Sequence, residues 1–165
     1  MDVSIRAATA RDLAAVSAIY AHEVRNGIAT FDLEPPPVDY WRARLESREQ
    51  GDHLLVLDDG AAVLGYAYSS SYRPRPAYAL TRETSIYLAG DARGRGLGRR
   101  LYDDLLGRVK ADGVHTAVAL VALPNPASEA LHTTVGFRHL GTMTEVGRKF
   151  GRWIDTAWYE LRLQP

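Results

Sequence analysis

Three glycines at alternate positions are interleaved with arginine in the stretch Arg93-Gly94-Arg95-Gly96-Leu97-Gly98-Arg99-Arg100. Glycine reaches positive φ without a Cβ penalty, so consecutive backbone N–H groups can turn toward one bound anion. The apolar spacing that follows, Leu97, Leu101, Leu105 and Val109, is that of a helix. A helix N-terminus contributes unpaired amides and the positive end of the macrodipole, to which the arginines add full charges. The chemistry this predicts is recognition of phosphate. A P-loop would need Gly-Lys-Ser/Thr at its end, and the dinucleotide fingerprint would need glycine where the chain has Arg99. What fits is R-x-x-G-x-G, read from Arg93 through Gly96 to Gly98. A turn of this composition can also be simply solvated, so the surrounding chain must discriminate.

Two other side chains could move protons. Glu83 lies on the strand leading into the loop, where a carboxylate is either a general base or an ordinary exposed strand residue. His132, with an ordinary pKa of about 6.5, could orient, relay or donate a proton, or be a helix histidine satisfied by a nearby carbonyl. His22, His53, His115 and His139 have no metal-ligand spacing, and no metal is expected.

The elements that must position these residues follow from periodicity and punctuation. Val3-Ser4-Ile5-Arg6 alternates like a strand, and Thr9 with Asp12 caps an amphipathic helix through Leu13, Val16, Ile19 and Tyr20, ending near Asn26-Gly27. An irregular connection with Pro35-Pro36-Pro37 precedes a second helix carrying Trp41 and Leu45. His53 to Leu57 and Ala61 to Ser70 read as a hairpin around Asp58-Asp59-Gly60, with Gly65 marking a bulge or a close backbone approach. Leu80 to Ala89 is the strand into the loop, and the loop's helix ends near Asp112-Gly113. Thr116 to Leu123 is apolar enough for a strand covered on both faces. A helix from Asn125 or Ser128 to Gly136 and strands around Arg138 to Val146 and Trp153 to Leu163 complete the chain. The order predicts a layered α/β (α+β) fold, a mixed central sheet of about seven strands flanked by about four helices, in a single domain over residues 1–165.

Composition narrows the functional class. Twenty acidic groups balance twenty basic ones, so nothing global steers the chain to nucleic acid or to an anionic membrane. No cysteine is present, which removes disulfides, Cys-based zinc sites and a thiol nucleophile. With charged residues at Asp2, Arg6, Arg11 and Asp12 and no apolar run of spanning length, the expectation is a soluble, cytoplasmic protein.

The R-x-x-G-x-G loop resembles the coenzyme A pyrophosphate loop of the GNAT superfamily of N-acetyltransferases, and the element order matches the plan of that superfamily. The segment Asn125-x-x-Ser128-x-x-Leu131-His132-x-x-x-Gly136-Phe137 resembles a second superfamily motif, with His132 standing where many members carry tyrosine. More narrowly, Ala29-Thr30-Phe31-Asp32, Arg73-Pro74-Arg75-Pro76-Ala77-Tyr78, Thr81-x-Glu83-x-Ser85-Ile86-Tyr87, Leu123-Pro124-Asn125 and Val146 to Trp153 are similar to the phosphinothricin and methionine sulfone (or sulfoximine) acetyltransferase branch. The resemblance covers nearly the whole chain.

It implies acetyl transfer from acetyl-CoA to the α-amine of a small amino acid analogue, by direct attack in a ternary complex. Glu83 would be the base and His132 a second catalytic group. Gly94 to Arg99, with Arg93, would hold the pyrophosphate, including the Arg95 and Leu97 positions. The backbone of Ile86-Tyr87-Leu88 would pair with the pantetheine arm as an added strand, and Asn125 would bind pantetheine or cap its own helix. Phe31, Arg73, Arg75, Tyr78, Ser85 and Lys149 would form the acceptor pocket, the arginines gripping a carboxylate. A homodimer is also implied. The alternatives are an acetyltransferase of protein or peptide amines, disfavoured by the arginine-rich segment before Glu83, and a non-catalytic acyl-CoA-binding module.

Overall fold

The structure, a computed structural model, describes residues 3–165. A seven-stranded sheet runs through it in the order β1-β2-β3-β4-β5-β7-β6: β1 Ser4–Ala7, β2 His53–Asp58, β3 Val63–Ser71, β4 Thr81–Leu88, β5 Thr116–Ala122, β6 Arg138–Lys149 and β7 Arg152–Arg162. Four helices accompany it: α1 Leu13–Asn26, α2 Val38–Glu46, α3 Leu97–Ala111 and α4 Pro126–Thr134. This is the predicted order, with β6 running to Lys149, past the expected end at Val146.

Strand β2 shows why the sheet is sandwiched. Leu54 and Val56 face a cluster under α1 and α2 with Val16, Trp41 and Tyr66, whereas Leu55 and Leu57 face a cluster under α3 with Leu101, Leu105 and Ala119. Successive side chains of a strand point to opposite faces, so a strand buried on both must be apolar throughout. The stripe of α3 is buried as its spacing predicts, joined by Tyr102 and Leu106. At the start of α1, the Thr9 N–H donates to Asp12 Oδ2 at 2.7 Å, and Arg6 Nη1 donates to the same oxygen at 2.8 Å. The Arg6 guanidinium, ahead of the Thr9 bonds, holds the Asp12 carboxyl well below the usual carboxylate range.

One junction of the sheet matters more than the rest. All neighbouring strands are antiparallel except β4 and β5, whose parallel pairing covers only Thr81–Glu83 against Thr116–Val118. Beyond Glu83 both strands continue, β4 to Leu88 and β5 to Ala122, without further backbone pairing, and the Thr84 hydroxyl donates to the Val118 carbonyl at 3.3 Å where they part. From Thr84 to Leu88, β4 is therefore paired on one side alone, with β3 from Ser69 back to Gly65. Gly65 is needed for that pairing: a Cβ there would lie 2.5 Å from Leu88 Cδ2 and 2.8 Å from the Tyr87 carbonyl oxygen. No helix among the described residues is long and apolar enough to cross a membrane.

Candidate active site

Where β4 and β5 part, a cleft of about 450 Å³ opens. Its walls include Thr84 to Leu88 from β4 and Leu120 to Ala122 from β5, and Gly94, Gly96 and Gly98 lie along it with Arg93 and Arg99. Asn125, Ser128, Leu131 and His132 of the α4 segment close the other side. The unpaired main-chain edge of β4 thus runs down one wall and leads to the glycine loop.

The loop is shaped for an anion. Gly94 and Gly96 take φ of +72° and +73°, a region that favours glycine, and Gly96 is the residue before α3. Because glycine has no side chain to cap the helix, the first-turn amides of Leu97, Gly98 and Arg99 receive no side-chain acceptor. The third glycine differs from expectation: Gly98 is helical, and its missing side chain makes room for Leu88 and Leu131, whose methyls would lie 3.2 and 3.6 Å from a Cβ. The Leu97 side chain is buried in the core under α3, so what it offers the loop is its backbone.

The arginines divide. Arg93 does not extend into the loop: its guanidinium pairs with Glu23 of α1 and donates from Nε to the Leu88 carbonyl at 3.2 Å, stapling loop, strand and helix together. Arg95 and Arg99 are exposed, Arg99 lying 3.5 Å from Asp103 one turn on. Asn125 caps α4, its Oδ1 accepting from the Ser128 N–H at 3.1 Å.

Glu83 and His132 sit on opposite faces of β4. Glu83 shares its face with Ser85 and Tyr87, toward α1 and α2, where Tyr87 packs on Tyr20 and Tyr66. The half-buried Glu83 carboxyl is pushed up by desolvation, against which the charges of Arg44 and Arg73 pull it down. His132 is on the α3 side. Its Nδ1 lies 2.7 Å from the Ser128 carbonyl, which can only accept, so Nδ1 carries the proton. Nε2 is then the acceptor for the Tyr102 hydroxyl at 3.1 Å, and that hydroxyl lies 2.8 Å from Thr84 Oγ1. Burial lowers the His132 pKa, the Ser128 bond opposing. A neutral imidazole with both nitrogens occupied matches the carbonyl-satisfied alternative raised from the sequence.

The expected acceptor-pocket residues fall in three places. Phe31 packs against Gly147 of β6, where a Cβ would overlap its ring, and Lys149 is 3 % exposed with Nζ donating to the Thr30 carbonyl at 2.8 Å. Desolvation lowers the Lys149 pKa, with Asp32 and Glu23 opposing. Arg73, Arg75 and Tyr78 lie on the exposed connection between β3 and β4, where the Arg73 guanidinium stands 5.1 Å from the Tyr72 ring centroid. Ser85 lines the cleft itself.

Three participants were missed in the sequence. Tyr102 and Thr84 complete a hydrogen-bonded chain with His132 that runs from the wall of the cleft into the core under α3. Arg44 of α2 lies over the rings of Tyr68 and Tyr40, 4.3 and 4.8 Å from their centroids. Its signal was the helical spacing Trp41–Arg44, three apart, which puts a cation beside the fully buried tryptophan.

Residues 5–158 match the acetyltransferase (GNAT) domain family. The chain is 46% identical to a phosphinothricin N-acetyltransferase of Streptomyces coelicolor over 163 residues, covering 96% of this chain and 95% of that one. It is 40% identical to the L-methionine sulfoximine/L-methionine sulfone acetyltransferase of Pseudomonas aeruginosa, covering 100% of this chain and 97% of the relative. Among solved structures, the phosphinothricin acetyltransferase of Sinorhizobium meliloti in complex with acetyl-CoA superposes with a TM-score of 0.92 at 39% identity, over 98% of this chain and 89% of that one.

Proposed function

The chain belongs to the GNAT acetyltransferase family, and from that premise we propose that it transfers the acetyl group of acetyl-CoA to the α-amine of a small amino acid analogue of the phosphinothricin or methionine sulfone type. The observation that carries this reading is the junction of β4 and β5, zipped at Glu83 and open past it, leading to uncapped helix amides at Gly96. An extended, amide-bearing pantetheine arm can add itself to the free edge of β4, and a pyrophosphate can accept from the first-turn amides of α3. Arg93 supports the loop through Glu23, and Arg95 and Arg99 add charge from the outside.

Acetyl-CoA supplies an activated thioester. The acceptor amine must be neutral to attack it, and Glu83 takes the proton, directly or through water. A half-buried carboxyl raised by desolvation is a better proton acceptor than an exposed one, and the Arg44 and Arg73 charges oppose that rise. With no cysteine to carry the acetyl group, transfer is direct: the amine nitrogen bonds the thioester carbonyl carbon, the carbon–sulfur bond breaks, and CoA leaves as a thiolate that takes a proton from solvent, so initial rates against both substrates should give intersecting lines. His132 positions Tyr102 and Thr84 behind the strand. A homodimer is proposed through the edge strand β6, where Leu140, Met143 and Val146 are exposed, with Phe150 and Trp153 beside them.

The test is release of free thiol from acetyl-CoA by purified protein, across amino acid analogues, peptides and protein amines. Thiol release driven by phosphinothricin or methionine sulfone is expected. Release driven only by peptide or protein amines would favour the alternative enzyme, and none with any acceptor would leave a binding module.

A further inference from the structure

Every arginine that is not exposed has a carboxylate partner, with one exception. Arg6 pairs with Asp12 and Asp58, and Arg108 with Asp104. Arg82, 4 % exposed, lies 3.1 Å from Asp52, close enough for charge though not aligned as a hydrogen bond. Arg44 is half-buried and has no carboxylate within 4 Å among the described residues. It donates from Nη2 to the Tyr40 hydroxyl at 2.5 Å, and its Nε is buried with no partner at all. A guanidinium is always charged, and here two tyrosine rings and one hydroxyl offset its desolvation while no carboxylate does, which leaves it the half-buried cation on this face without an anionic partner among the described residues.

The anion can be assigned from the neighbours. Tyr68 lies under the guanidinium and pairs in register with Ser85, two residues from Glu83 on the same face of β4. Of the arginines near this face, Arg73 is exposed on the connection between β3 and β4, whereas Arg44, on α2, is held over the rings of Tyr40 of its own helix and Tyr68 of β3. In an α-amino acid the carboxylate is attached to the carbon that bears the amine. An amine delivered to Glu83 therefore brings its carboxylate to the same face of the sheet, where Arg44 stands over Tyr68, and a more distant acidic group on the side chain is left to others.

We propose that Arg44 is the residue that selects amino acids over simple amines, by gripping the acceptor's α-carboxylate between Tyr40 and Tyr68 while Glu83 faces the amine. This rests on the acetyltransferase reading above. It assigns to α2 a role that the sequence had pointed toward Arg73 and Arg75.

The experiment compares methionine sulfone with its carboxamide, in which the carboxylate is neutral and the amine unchanged, as acceptors for wild type, Arg44→Gln and Arg44→Lys. A charge-assisted bond of this kind is worth about 10- to 150-fold in binding. Arg44→Gln is expected to lower kcat/KM for the acid by that factor and for the carboxamide by less than about threefold, and Arg44→Lys to recover part of the loss. Equal losses on both acceptors, or none on either, would overturn the assignment. Should Arg44→Gln not fold, Arg44→Lys carries the comparison, with a loss confined to the acid expected and an equal loss overturning. Calorimetric binding of the two acceptors to CoA-saturated protein reads the same ratio without turnover. A wild type that acetylates neither acceptor would therefore sink the functional reading, and the binding ratio would still decide the role of Arg44.

Discussion

Replacing Glu83 with glutamine separates catalysis from folding. The Glu83 side chain is half-buried and neither donates to nor accepts from another described group, so the isosteric amide breaks no hydrogen bond and empties no space. The strand pairings on either side, with Ser70 and Val118, are made by the backbone and survive. What disappears is the capacity to take a proton, which is worth about 10²- to 10⁴-fold in rate, or roughly 3 to 5 kcal/mol of barrier. Stability should move the other way. Desolvation raises the folded pKa of Glu83 despite Arg44 and Arg73, so the folded chain binds more protons than the unfolded one. Its favourable contribution is then present below the unfolded pKa and is lost as pH climbs through the folded one. At neutral pH the Glu83→Gln variant should therefore melt at or above wild type, and the difference should vanish in acid. The assay is steady-state kcat from pH 5 to 9 beside thermal melts over the same range. Wild type should show an acid limb above the ordinary carboxylate range that the variant lacks. Wild-type turnover by a folded Glu83→Gln protein would refute the base assignment.

Two further substitutions probe the framework. His132→Phe should cost about 1 kcal/mol, or roughly 2–4 °C in Tm, because the Tyr102 hydroxyl can turn to Thr84 Oγ1 at 2.8 Å; turnover should fall by less than the ~100-fold expected for a proton-transfer residue, and a larger loss in a folded variant would restore His132 to the chemistry. Gly65→Ala drives a Cβ to 2.8 Å from the Tyr87 carbonyl, an overpacking of about 1–3 kcal/mol that should appear as a lowered Tm. An unchanged melt would mean that β3 can move away from β4 at no cost.

Much of this was legible in the residues because the signals were local. The alternating burial of β2, the stripe of α3 and the cap at Asn125 depend on spacing within one element, and each formed as its pattern dictates, while Thr9 and Asp12 brace a 3-10 turn, Ala10–Asp12, that leads into α1. The glycine loop was legible for the same reason at Gly94 and Gly96. At Gly98 the need was for room against Leu88 and Leu131, which come from other elements, and spacing alone could not distinguish that from a need for positive φ. The length of the β4–β5 pairing was equally hidden, since the cleft exists only because two strands distant in the chain part after three residue pairs. Arg93 read as a phosphate ligand by its place in the motif, yet its partner Glu23 lies on a helix 70 residues earlier. Arg44 was passed over because an arginine on a charged helix looks solvated until Tyr68 of β3 is placed beneath it.

The most direct test of the cleft and its loop is calorimetric titration of acetyl-CoA into wild type and Gly96→Val. Gly96 holds φ at +73°, where a β-branched residue is strained by more than the ~1–2 kcal/mol that an ordinary side chain pays. A Cβ there meets no protein atom within 4 Å, so the added side chain would project into open space and leave the core intact. Wild type should bind acetyl-CoA, and a folded Gly96→Val protein should bind it at least ~10-fold more weakly, a loss of about 1.4 kcal/mol. Equal affinity in the two proteins would contradict the placement of the pyrophosphate at the N-terminus of α3.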